Sequence, residues 1–173
     1  MKRLLKICYS LLVLFAFTTI EALAQVSATG HIVAEIIPVF TATEISQLNF
    51  GRFSPGPQGG KIILTPQGTI SVLGSVFKGT GMHNAAGFYV TGDQDAAFSI
   101  TLPSGPVILK HTTSAKTIIV DNWVSVPTTD VGAGMLQGGY QVVQVGATLN
   151  VGSLEDNPVG VYTGSYEISF DFN

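Results

Sequence analysis

The last fourteen residues, Gly160-Val-Tyr-Thr-Gly-Ser-Tyr-Glu-Ile-Ser-Phe-Asp-Phe-Asn173, put Tyr162, Tyr166, Ile168, Phe170 and Phe172 on one side of an extended chain. Thr163, Ser165, Glu167, Ser169 and Asp171 fall on the other. Alternation with period two predicts a half-buried β-strand. The run Val26-Ser-Ala-Thr-Gly-His-Ile-Val-Ala-Glu-Ile-Ile37 begins with the same alternation and stops at Pro38, and residues 45–50 predict a second extended segment closing on Gly51. Residues 61–65 and 69–72 flank Pro66-Gln-Gly68 as a hairpin, and residues 88–91 and 97–102 bracket a turn at 92–95. The longest interior strands are expected at 117–126 and 140–151, both rich in β-branched residues. Ser54-Pro-Gly-Pro-Gln-Gly-Gly60 predicts a loop, because proline removes a ladder donor and glycine frees φ.

No stretch after residue 24 carries an i, i+3, i+4, i+7 apolar stripe with a cap, and glycine recurs too often for long helices. The expected class is all-β, with nine or so short strands in a two-sheet antiparallel β-sandwich of immunoglobulin-like, pilin-like type. No internal period or low-complexity tract interrupts it, and a single domain over residues 25–173 is the natural organisation.

The other end of the chain changes the picture. Met1-Lys2-Arg3-Leu4-Leu5-Lys6, an uncharged run over 7–20 and Ala22-Leu23-Ala24 predict a secretory signal peptide over residues 1–24. A retained membrane anchor needs about twenty apolar residues, more than this run supplies, so no membrane span is expected in the mature form. Cys8, the single cysteine, falls inside the signal, leaving the mature chain without thiol chemistry or a disulfide. Its stability then rests on burial in a domain large enough for one core. Without the signal, five basic and ten acidic side chains remain, a formal charge of −5. Arg52, Lys61, Lys78, Lys110 and Lys116 are scattered, and nucleic-acid binding draws on clustered cations. Nucleic acid is therefore excluded as the expected partner.

Candidate chemistry is sparse. His31, His83 and His111 each stand alone, without a second ligand at metal spacing. Serine, histidine and aspartate all occur, but no G-x-S-x-G elbow or comparable nucleophile context does. Asp93 and Asp95 begin like an acidic calcium loop, yet the glycine and distal glutamate are missing, so they read as a turn. Glu155-Asp156-Asn157-Pro158 reads as a solvated loop. No catalytic, cofactor or metal site is expected, and the chain is read as non-enzymatic. Trp123 and Tyr140 are the first candidates for ligand contact, with a core position as the plainer reading of Trp123.

An unpaired terminal strand exposes N–H and C=O groups and invites association. In donor-strand complementation, one subunit's extension fills the groove of the next, alternate side chains entering pockets while main-chain bonds add affinity. Val26, Ala28, Gly30, Ile32, Ala34 and Ile36 share one face and form the candidate donor. An ordinary first strand of the same domain would need the same pattern.

Leu48-Asn-Phe-Gly-Arg-Phe-Ser-Pro55, Ala97-Phe-Ser-Ile-Thr-Leu-Pro103, Val145-Gly-Ala-Thr-Leu-Asn-Val-Gly152 and Gly160-Val-Tyr-Thr-Gly-Ser-Tyr166 resemble an exported bacterial family, domain of unknown function 4402, across nearly the whole mature chain. The pattern is also similar to a cysteine-free relative of spore coat protein U-type domains and of archaic chaperone-usher pilins, which are incomplete immunoglobulin-like sandwiches. Pilin tails often carry a glycine about fourteen residues from the end and a penultimate aromatic, the places of Gly160 and Phe172 here. The resemblance implies that Gly160, Tyr162, Tyr166, Ile168, Phe170 and Phe172 border an acceptor groove, and that the partners are further copies of the chain or an assembly chaperone. The expectation is a secreted structural or adhesive surface subunit, in the periplasm, on the outer surface or outside the cell, polymerising by strand donation. The alternative is a self-contained carbohydrate- or ligand-binding module.

Overall fold

A computed structural model describes residues 26–36 and 39–172. The expected signal segment lies outside the described residues, as do Gln25, Ile37, Pro38 and Asn173. The chain divides into two units at residue 35. Residues 26–36 form no strand, and their side chains are exposed, Val26, Ile32 and Ile36 at 90%, 96% and 97%. Their alternation suits a strand, but a strand exists only where a ladder partner takes its main-chain groups. Among the described residues this segment has none.

All the strands lie in the second unit: β1 (Thr41–Ser46), β2 (Phe53–Leu64), β3 (Ile70–Lys78), β4 (Ala86–Thr91), β5 (Ala97–Thr101), β6 (Val107–His111), β7 (Thr117–Val126), β8 (Gly134–Met135), β9 (Tyr140–Val151), β10 (Tyr162–Thr163) and β11 (Ser169–Phe172). The described residues contain no helix, and the strands build two antiparallel sheets. In the large one β1, β4, β9, β7, β6 and β10 follow in order, with the β2–β3 hairpin joined to β9. The small one runs β11, β5, β8.

β9 organises the large sheet. Along one edge it pairs with β7; along the other, β4 takes residues 140–145 and β2 takes 147–151. Gly146 sits at the handover, where a Cβ would collide with the Leu64 carbonyl oxygen and the main chain of Thr65 and Pro66. Only glycine allows the two backbones to pass so closely.

The core falls into two clusters. Ile62, Val76, Ile118, Val120, Ala147, Leu149 and Val151 form the first, all from the large sheet. The second sets Ala86, Val90, Val143 and Val145 of the large sheet against Phe98, Ile100 and Leu136 on the side of the small sheet. At that end the molecule is a two-layer sandwich.

Three expectations are revised. Residues 54–60 belong to β2, although the ladder slips between Pro55 and Gly60, where five steps of β2 oppose two of β3. The prolines and glycines thus mark a bulge inside a strand. The closing run is two short strands: β10 pairs with β6 of the large sheet and β11 with β5 of the small one. Its alternation survives the break, because Tyr162 packs on the first cluster and Tyr166, Ile168 and Phe170 pack on the second. The extended segment expected at 45–50 is strand only at its start, since β1 occupies Thr41–Ser46.

Candidate functional site

The first cluster has no second sheet over it. A groove of about 980 Å³ lies against it, bordered on one side by residues 47–55 and on the other by 154 and 157–166. Ile118, Val120 and Leu149 form part of its floor, with Val107 and Leu109 of β6 beside them. Leu48, Phe50 and Phe53 on one wall and Tyr162 on the other pack against the same cluster. Glu44 and Arg52 are the charged side chains of the lining, so the surface offered is overwhelmingly uncharged.

Each wall is held by specific bonds. Asn49 exchanges main-chain hydrogen bonds with Asn84, at 2.9 and 3.0 Å. The Asn84 amide donates to Ser46 Oγ at 3.0 Å and to the Gln47 carbonyl at 2.5 Å. On the far wall Asn157, buried rather than solvated, accepts from the Gly152 N–H at 2.5 Å and donates to the Thr117 carbonyl at 2.8 Å. Its neighbour Asp156 is fully exposed; the Ser153 hydroxyl and N–H donate to it and lower its pKa.

His111 locks the same wall. The Thr113 N–H donates to Nδ1 at 3.1 Å, which leaves the ring proton on Nε2 to donate to the Val159 carbonyl at 3.1 Å. Tyr162 stands edge-on to the imidazole at 4.9 Å and donates its hydroxyl to the Pro158 carbonyl at 3.0 Å. Burial raises the Tyr162 pKa. Gly160 has no room for a side chain, because a Cβ would run into His111 Nε2. Packing against His111, distant in the sequence, thus explains the glycine that the sequence singles out.

Trp123 and Tyr166 line the groove where the two clusters meet, and Trp123 packs against both. β7 slips register between Asp121 and Val124, and Asn122 takes a left-handed φ of 48°. That bulge switches the inward positions from Ile118 and Val120 to Trp123 and Ser125. The Trp123 and Tyr166 rings lie 4.7 Å apart, tilted by 36°. Burial, aided by the Glu44 carboxylate, pushes the Tyr166 pKa up to about 12. Trp123 Nε1 and Tyr166 OH are shielded from water and have no hydrogen-bond partner.

A family model described as Domain of unknown function (DUF4402) matches residues 40–172, the span that holds every strand and the whole groove. The chain belongs to the DUF4402 family. No curated protein and no solved structure matches it significantly. The match to DUF4402 begins after residues 26–36.

The fold brings Gly160, Tyr162 and Tyr166 together in the groove lining. Ile168 and Phe170 pack instead on the closed cluster, and Phe172 packs on Phe40 with 4.0 Å between centroids. Trp123 and Tyr140 are not brought together. Tyr140 stacks on Tyr89 at 5.6 Å and 27°, both rings exposed and neither in the groove lining. Among the described residues no three His, Cys, Asp or Glu side chains converge as metal ligands, and no helix is long and apolar enough to cross a membrane. The reading from sequence alone missed Leu109, Asn157 and His111, and it noted Leu48, Phe50 and Phe53 as a motif without a role. The available signal was three large apolar residues clustered around Gly51.

Proposed function

We propose that this DUF4402 chain is an exported, non-enzymatic structural or adhesive surface subunit that assembles by strand donation. Residues 26–36 of one copy fill the groove of the next. The observation that carries this reading is the groove beside the first cluster: Leu48, Phe50, Phe53 and Tyr162 line a largely uncharged space where the second cluster has a covering sheet. Donor and acceptor match in chemistry, since Val26, Ala28, Gly30, Ile32, Ala34 and Ile36 present an uncharged face. The resemblance of the tail, Gly160 to Phe172, to pilin tails supports the same reading, and an assembly chaperone is the natural partner to hold the groove before assembly. Light scattering and unheated gel electrophoresis of the exported chain test it. A denaturant-resistant ladder is expected, and deletion of residues 26–36 should leave folded monomers. A ladder that persists after the deletion removes this reading.

The exposed Tyr89–Tyr140 stack favours a second reading, a ligand-binding module. Monomeric chain that binds glycans and loses binding on Tyr140→Ala would establish it.

A further inference from the structure

Trp123 Nε1 and Tyr166 OH stand side by side in the groove lining, and neither has a hydrogen-bond partner. A buried donor without an acceptor has given up its bonds to water for nothing, which is why such groups are rare and call for an explanation. Polar side chains such as Gln47, Asn49, Ser54 and Thr163 also line the groove, but these two donors are the polar side-chain atoms of the lining that are buried without a partner.

We propose that the occupant is residues 26–36 of a second copy, and that main-chain carbonyl oxygens of that strand accept hydrogen bonds from the Trp123 indole N–H and the Tyr166 hydroxyl. This rests on the strand-donation reading. The uncharged face of the donor, Val26, Ala28, Gly30, Ile32, Ala34 and Ile36, carries no polar side chain, so only its backbone can supply acceptors. In the unfilled groove both donor atoms are covered by their neighbours. The rings must therefore turn as the strand enters, and docking is coupled to movement of the Trp123–Tyr166 pair.

Trp123 is the single tryptophan of the chain, so its one indole N–H resonance and its emission report directly on this contact. The full chain is separated into monomeric and assembled fractions, and the same is done for Trp123→Phe and Tyr166→Phe. The expected result is a downfield shift of the indole proton and altered emission on assembly. Each phenylalanine variant should dissociate about five- to tenfold faster once assembled, as for loss of one hydrogen bond, while its monomer is no less stable. Tyr166→Phe keeps the ring and so guards against a folding defect in Trp123→Phe. If the wild-type chain assembles through residues 26–36 but the indole signal is unmoved and both variants dissociate at the wild-type rate, this inference fails and strand donation stands. If the wild-type chain never assembles, both fall.

Discussion

The two ends of the core are made of similar residues and finished differently. In the second cluster Phe98, Ile100 and Leu136 face Ala86, Val90, Val143 and Val145 across two sheets, and the aromatic rings of Phe40 and Phe170 close the gaps. In the first, every buried member comes from the large sheet, and a groove lies where an opposing layer would sit. A sheet with an apolar face has to bury it against something. One end does so with a second sheet; at the other, partly buried side chains such as Leu48, Phe50, Phe53 and Tyr162 cover the cluster, and these border the groove.

Several substitutions test the contrast. The largest loss is expected at the closed end, where Phe98 is fully buried: Phe98→Ala should lower unfolding free energy by about 4 kcal/mol, read from denaturant midpoints. Next comes the lock on the groove wall. Gly160→Ala forces a methyl group against His111 and should cost about 2 kcal/mol, and adding His111→Ala should restore part of it. An additive double mutant would separate the two residues. At the groove end, Leu109→Ala should cost the monomer only about 1 kcal/mol, because the side chain is only partly buried and lines the groove, and more once the groove is filled. Equal losses at Phe98 and Leu109 in the monomer would erase the contrast.

A comparable effect belongs to pH. Tyr166 holds its proton more tightly folded than unfolded, so its contribution is complete below the ordinary tyrosine pKa near 10 and is lost as pH rises toward 12. Partial exposure limits this to about 1–2 kcal/mol. Unfolding midpoints measured between pH 9 and 12 should fall in the wild type and flatten in Tyr166→Phe. Smallest of all is deletion of residues 26–36, which are exposed and should leave the midpoint of the monomer unchanged while abolishing assembly.

Much of the fold was legible locally. β7 and β9 begin and end where β-branched runs do, and the hairpin closes at Gly68, whose N–H bonds to the Thr65 carbonyl at 2.9 Å. Other features depend on residues far apart. Pro55 to Gly60 look like a loop because the sequence does not reveal that β3 tolerates the slip. The closing run looks like one strand because alternation records which side chains point inward, not which sheet the backbone joins.

The same division holds for the candidate site. The sequence by itself determined the all-β class, the inward face of the closing residues and the apolar face of residues 26–36, since period-two alternation follows from the pleat alone. Only the tertiary structure decided that Gly160 is small because His111 fills its space, that Trp123 turns inward through a bulge at Asn122, and that one core cluster lies under a second sheet while the other borders a groove. Those outcomes depend on how distant strands meet, and the local pattern of any one strand is compatible with either.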